Sequence, residues 1–155
     1  MIAILGKDRK YVKLHKHDSW SVDYTLAFIA APLLRQLRET THSIGMIEHE
    51  DRPEHLFGTK LLNDEYCEMA WDWALTEMIF AFESKIDDDW EEQFQSGEHD
   101  THWIELTEGE HKGMSEMVKG PNDTFEIDWE GRKAYQDRIT NGFRLFGKYY
   151  QSLWD

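Results

Sequence analysis

The chain has 155 residues, 17 Lys and Arg against 31 Asp and Glu, a formal charge of −14, 40% hydrophobic and 14% aromatic residues, and one Cys. That length is one ordinary domain, 1–155, able to bury roughly 70% of the surface its unfolded chain exposes, and seven Trp, six Tyr and eight Phe supply a core, which excludes a disordered chain. A lone Cys67 builds neither a disulfide framework nor a cysteine zinc site, no apolar run approaches a membrane span, and the negative charge disfavours a nucleic-acid coat, so a cytoplasmic protein is expected.

The acidity is concentrated. Residues 1–40 carry seven Lys/Arg against four Asp/Glu, residues 41–129 five against 24, and residues 130–155 five against three.

In chain order, residues 2–5 and 11–15 flank Gly6-Lys7-Asp8-Arg9 and predict a hairpin. Over residues 19–39, Val22, Leu26, Ile29, Leu33 and Leu37 recur at three- and four-residue spacing, the stripe of an amphipathic helix, with Asp18 or Ser19 as its cap and Pro32 as a kink. Residues 41–63 lack a sustained period, contain Gly45, Pro53 and Gly58, and read as an irregular loop with room for one short helical turn. A second helix, 64–85, is apolar around nearly its whole circumference and must be covered on most sides. The run at residues 87–92 starts a short acidic helix that Gly97 stops, residues 98–127 are polar with a short strand near 124–128, and a last helix spans 129–153 with Asp128 as cap. Gly131, Gly142 and Gly147 weaken that helix by about 1 kcal/mol each relative to Ala, which points to close helix packing or ligand approach. The expected fold is mainly α: three long helices in a compact bundle with a small β annex.

Each long helix carries one misplaced polar residue. On a wheel of 100° steps Glu77 falls among Tyr66, Ala70, Trp73 and Phe80, Asp23 lies between Ala30 and Leu34, and Arg138 lies between Leu145 and Tyr149. Burying an uncompensated carboxylate costs several kcal/mol, so Glu77 requires a partner. One reading is a walled cavity in which Asp23, Glu77, Arg138 and Asn141 present hydrogen-bonding groups among Trp20, Tyr24 and Trp73, suited to a flat, polar small molecule. The other is a buried Arg–carboxylate network that fixes helix register.

Weaker patterns fall away. His15, His17 and Glu77 can be assembled into a metal site, but no helical Glu-x-x-His pair supports it, and Glu65-Tyr-Cys-Glu68 has no second acidic run to hold magnesium, since Ile86 ends Glu83-Ser-Lys-Ile86. Residues 142–148 fit the first seven positions of a phosphate loop, but Tyr149 replaces the magnesium-binding Ser/Thr and the segment lies within an amphipathic helix. No metal or other cofactor is implied.

Three segments, DSWSVDYTLA at 18–27, EMIFAFE at 77–83 and NGFRLFGKYYQSLWD at 141–155, resemble a family of small uncharacterised proteins encoded by tailed bacteriophages. The resemblance spans nearly the whole chain, least over 98–127, and implies a product made in the cytoplasm of a bacterial host, with no catalytic residue to carry over. Three functions follow as expectations: a phage accessory protein that sequesters a small polar, nucleotide-like ligand such as a host immune signal; an acidic interaction protein that blocks a basic site on a host enzyme; or a nucleotide hydrolase using Glu77. A host protein partner and a homo-oligomer stay open.

Overall fold

A computed structural model of the chain describes residues 2–5, 10–13, 15–53 and 64–154. It is mainly α with a small antiparallel β part: β1 (Ile2–Leu5), β2 (Lys10–Lys13), α1 (Val22–Thr40), α2 (Asp64–Ile86), β3 (Gln95–Ser96), β4 (Thr101–Glu105), β5 (Ser115–Lys119), β6 (Glu126–Ile127) and α3 (Trp129–Lys148). The backbone packs as two units, residues 1–88 with 135–155, and residues 89–134. Each is described by itself.

In the first unit β1 and β2 pair antiparallel in the register Ile2 to Lys13 and Leu5 to Lys10. His15 and His17 lie in the turn after β2, their rings 5.1 Å apart. The cap of α1 also differs from expectation. Ser21 stands at its N-terminus without a side-chain cap bond, while Asp18 accepts the His15 N–H at 2.7 Å. The helix continues through Pro32.

The core forms around α2, whose Ala70, Trp71, Ala74, Leu75, Met78 and Phe82 are all buried, as its all-round apolar sequence requires. The face that α1 buries is not its aliphatic stripe. Ala27, Ala31 and Leu34 are buried, whereas Val22, Leu26 and Leu33 stay 50%, 53% and 45% exposed. Small residues let two helix backbones approach closely, and charged side chains then close the flanks: Asp23 pairs with Lys85 at 2.9 Å and Arg38 with Asp72 at 2.7 Å.

Helix α3 stops at Lys148, and a 3₁₀ turn, Tyr150–Ser152, replaces the regular helix expected to 153. Tyr149 is drawn inward there, its hydroxyl donating to Asp51 at 2.6 Å.

In the second unit the acidic helix expected after residue 87 is a single 3₁₀ turn, Glu92–Phe94, closed by Gly97 at φ +77°, a left-handed conformation that favours glycine. The short β3 pairs with β6, and β4 pairs with β5 so that Trp103 faces Met117 and His102 faces Val118. Asp128 caps α3 by accepting the Gly131 N–H at 2.9 Å.

Candidate functional site

Along one face of α2, Asp72, Thr76, Phe80 and Glu83 follow at helical spacing, and the eleven steps from Asp72 to Glu83 span about 16 Å. They floor a groove of about 580 Å³ whose walls carry Arg35 and Arg38 from α1 and Arg138 from α3. Each guanidinium is tethered by an acid. Arg38 donates from Nε and Nη2 to the two Asp72 oxygens at 2.7 and 3.1 Å, Arg35 pairs with Glu83, and Arg138 donates from Nε and Nη2 to Glu77 at 2.9 and 2.8 Å. The Asp72 and Glu77 hydrogen bonds raise the pKa values of Arg38 and Arg138, so both stay cationic.

The Arg138–Glu77 pair is the most enclosed of the three. Glu77 is only 8% exposed, and the Arg138 guanidinium lies 3.7 Å from the centre of the Phe80 ring. Gly142, one turn beyond Arg138, explains the approach: a Cβ there would collide with the Glu77 carbonyl oxygen and stand 2.6 Å from Ala81 Cβ. The glycine lets α3 come close enough for Arg138 to reach the carboxylate.

Of the seven residues expected to line one cavity, Glu77 and Arg138 are hydrogen-bonded to each other, while Asp23 and Tyr24 share a different recess. Asp23 is engaged by Lys85, eight residues or about 12 Å along α2 from Glu77, in a separate recess with Ser21 and Tyr24. Trp20 is 80% exposed and packs edge-on to His17. Tyr24 sets its edge against Phe28, Trp73 packs half-buried on the core, and Asn141 accepts two hydrogen bonds from Arg144 at 3.0 and 2.9 Å. The single cavity fails because α1 turns its small, charge-flanked side toward α2, which satisfies Asp23 at the edge. The same rotation brings in Arg35 and Arg38, which the aliphatic stripe had placed away from the core; their i, i+3 spacing was the available signal. Phe80, not Trp20, Tyr24 or Trp73, is the aromatic ring of the groove.

A second cluster lies outside any periodic segment. Asp51, buried in a 3₁₀ turn (His49–Asp51), accepts from Arg144 Nη1 at 2.6 Å, Lys148 Nζ at 2.7 Å and the Tyr149 hydroxyl at 2.6 Å. Burial pushes its carboxyl pKa up, but the hydrogen bonds from Lys148, Tyr149 and Arg144 outweigh it and hold the value at about 2. Lys148 is raised in turn, chiefly by its bond to Asp51, and Tyr149 by burial and then by the same carboxylate. The Tyr149 hydroxyl also accepts the Glu48 N–H at 2.9 Å, so the network fastens residues 48–51 to the end of α3.

Among the described residues no three His, Cys, Asp or Glu side chains are placed to hold a metal ion, and no helix is long and apolar enough to cross a membrane. No family model, no curated protein and no solved structure matches the chain.

Proposed function

We propose that the protein is a phage-encoded accessory protein that binds and sequesters a small polar, nucleotide-like ligand in the groove of Arg35, Arg38, Arg138 and Phe80, within the cytoplasm of a bacterial host. The observation that carries this reading is the clamped geometry of the wall: guanidiniums already oriented by carboxylates, one of them over an aromatic ring. A guanidinium has five N–H donors. A two-bond pair with Asp72 or Glu77 leaves three for a ligand, so anionic oxygens can be held without breaking the pairs that fix the arginines. The groove volume of about 580 Å³ lies in the small-molecule range. Both Glu77 oxygens accept from Arg138, which suits a positioning role better than a general base or metal ligand, and the binding reading is preferred over hydrolysis for that reason. In this reading the three long helices act as one bundle whose facing sides build the groove.

The test is a thermal-shift screen of nucleotides, cyclic dinucleotides included. A ligand at 100 times its dissociation constant adds about 2.7 kcal/mol of stability, a rise of several degrees in Tm. Arg38→Ala, at a half-exposed pair worth at most about 1 kcal/mol, should fold and lose that rise. No shift with any nucleotide, together with no small molecule released on denaturing the purified protein, removes the proposal.

A second reading is favoured by one observation. Residues 89–134 hold 13 Asp/Glu against four Lys/Arg, and none of the 46 is buried, so this unit presents a surface of charge −9 suited to a basic site on a host enzyme. Binding of that kind weakens steeply with added salt, whereas ligand binding by the groove leaves salt-dependent protein association unchanged.

A further inference from the structure

We infer that the uncharged face of α1 is a self-association surface that receives α1 of a second copy in antiparallel orientation. At 100° per residue, Val22, Leu26, Ile29, Leu33 and Leu37 occupy the middle of an arc of roughly 160° completed by Thr25, Ala30, Pro32, Gln36 and Thr40. The arc contains no charge, although 31% of the chain is charged. The four charged residues of the helix, Asp23, Arg35, Arg38 and Glu39, all fall outside it.

This is the reverse of an ordinary surface helix, which turns its aliphatic stripe inward and its charges out. Here Ala27 and Ala31 face α2 while Val22, Leu26 and Leu33 stay about half exposed. The stripe continues into an apolar groove of about 620 Å³ walled on its far side by Phe82, Phe146, Tyr150 and Leu153. From Val22 to Leu37 the stripe is about 22 Å long. Open apolar surface of this extent marks an interaction site.

Charge selects the occupant. A complementary surface must itself be an uncharged apolar ridge of that length, and among the described helices only α1 offers one: α2 exposes Met69 alone of its large apolar residues, and Ile139 and Leu145 of α3, with Tyr149 just past it, are buried. Two copies each carrying −14 repel, so a shared face free of charge is where they can approach. An isologous pair is the commonest way for a surface to complement itself. A twofold axis at the middle of the stripe, beside Ile29, sets Leu26 of one copy near Leu33 of the other and keeps Asp23, Arg35, Arg38 and Glu39 of both copies out of the contact. A bilayer is the poorer match, because helices that lie on membranes flank their apolar face with unpaired Lys and Arg, whereas Arg35 and Arg38 are taken up by Glu83 and Asp72.

Sedimentation equilibrium tests the assignment. Wild type should sediment at twice the 18.5 kDa chain mass, and Leu26→Glu with Leu33→Glu should halve that mass with an unchanged far-UV circular dichroism spectrum. A probe that adds no charge is Ile29→Cys in a Cys67→Ser background: mild oxidation should link two copies through Cys at 29, while Val22→Cys in the same background, far from the axis, should not link. Three results overturn the inference: wild type sedimenting as a single chain at every concentration, a dimer that survives both glutamates, or no link at position 29. Wild type that is monomeric yet floats with phosphatidylcholine vesicles overturns it in favour of a lipid surface.

Discussion

Asp51 shows what one side chain can do when cations surround it in a dry site. Its pKa of about 2 against an ordinary 3.8 means that the folded state holds the charged form more tightly than the unfolded chain does. The contribution, about 2 kcal/mol, is fully present above pH 4 and is lost as the pH falls through 2. Urea titrations at pH 6 and pH 2 should therefore show wild type losing about 2 kcal/mol more than Asp51→Asn over that interval. At pH 6 the Asn variant itself should be less stable by about 1–3 kcal/mol, below the value for a fully buried pair because Arg144 and Lys148 keep part of their hydration. Nothing in the sequence marked this residue: it sits in a segment without periodicity, and its three partners lie at the end of α3 and just past it, more than 90 positions away. Glu77 was legible for the opposite reason, since a charge in the middle of an apolar helix face has to be answered by a partner, and Arg138 was the matching anomaly on another helix.

At the scale of elements, helix positions followed directly from hydrophobic spacing, and α2 is as central as its all-round apolar sequence implied. The rotation of α1 did not follow from spacing, because two of its faces compete: a broad aliphatic one, and a narrow Ala27–Ala31 one that permits closer approach and brings ion pairs with it. Periodicity ranks the first higher, while backbone proximity and charge pairing decide for the second. The glycines of α3 separate cleanly on the same physical ground. At Gly142 an added methyl meets the Glu77 backbone, which cannot swing away, so Gly142→Ala should cost about 1–3 kcal/mol despite its better helix propensity. At Gly147 an added methyl would meet nothing within 4 Å beyond its own stretch of helix, so Gly147→Ala should add about 0.5–1 kcal/mol. Chemical denaturation of the two variants, opposite in sign, checks the account of how α3 approaches α2.

For the whole molecule, the acidic middle read from the sequence runs through parts of both units, and the strands of the second were the least legible part of the chain. β4 and β5 expose every residue except Val118, so no alternation between a wet and a dry face was available to reveal them. A two-stranded sheet without a covered face is marginal in water. Amide hydrogens of Thr101–Glu105 and Ser115–Lys119 should accordingly exchange orders of magnitude faster than those of Ala74, Leu75 and Met78, as read by exchange mass spectrometry or NMR. Equal protection of the two sets would mean that the hairpin is covered in solution.

The fastening of Asp51 to Tyr149 joins positions 98 apart in the chain, whereas the α1–α2 pairing closes over a far shorter loop. Closing the longer loop costs more chain entropy before any contact rewards it. The network should therefore form after the folding barrier has been crossed. Tyr149→Phe should leave the refolding arm of a chevron plot almost unmoved and steepen loss of the native state instead, with nearly all of its destabilisation appearing as faster unfolding. The last turn of the chain acts as a brake on unfolding, and its removal would shorten the lifetime of the folded protein without slowing its formation.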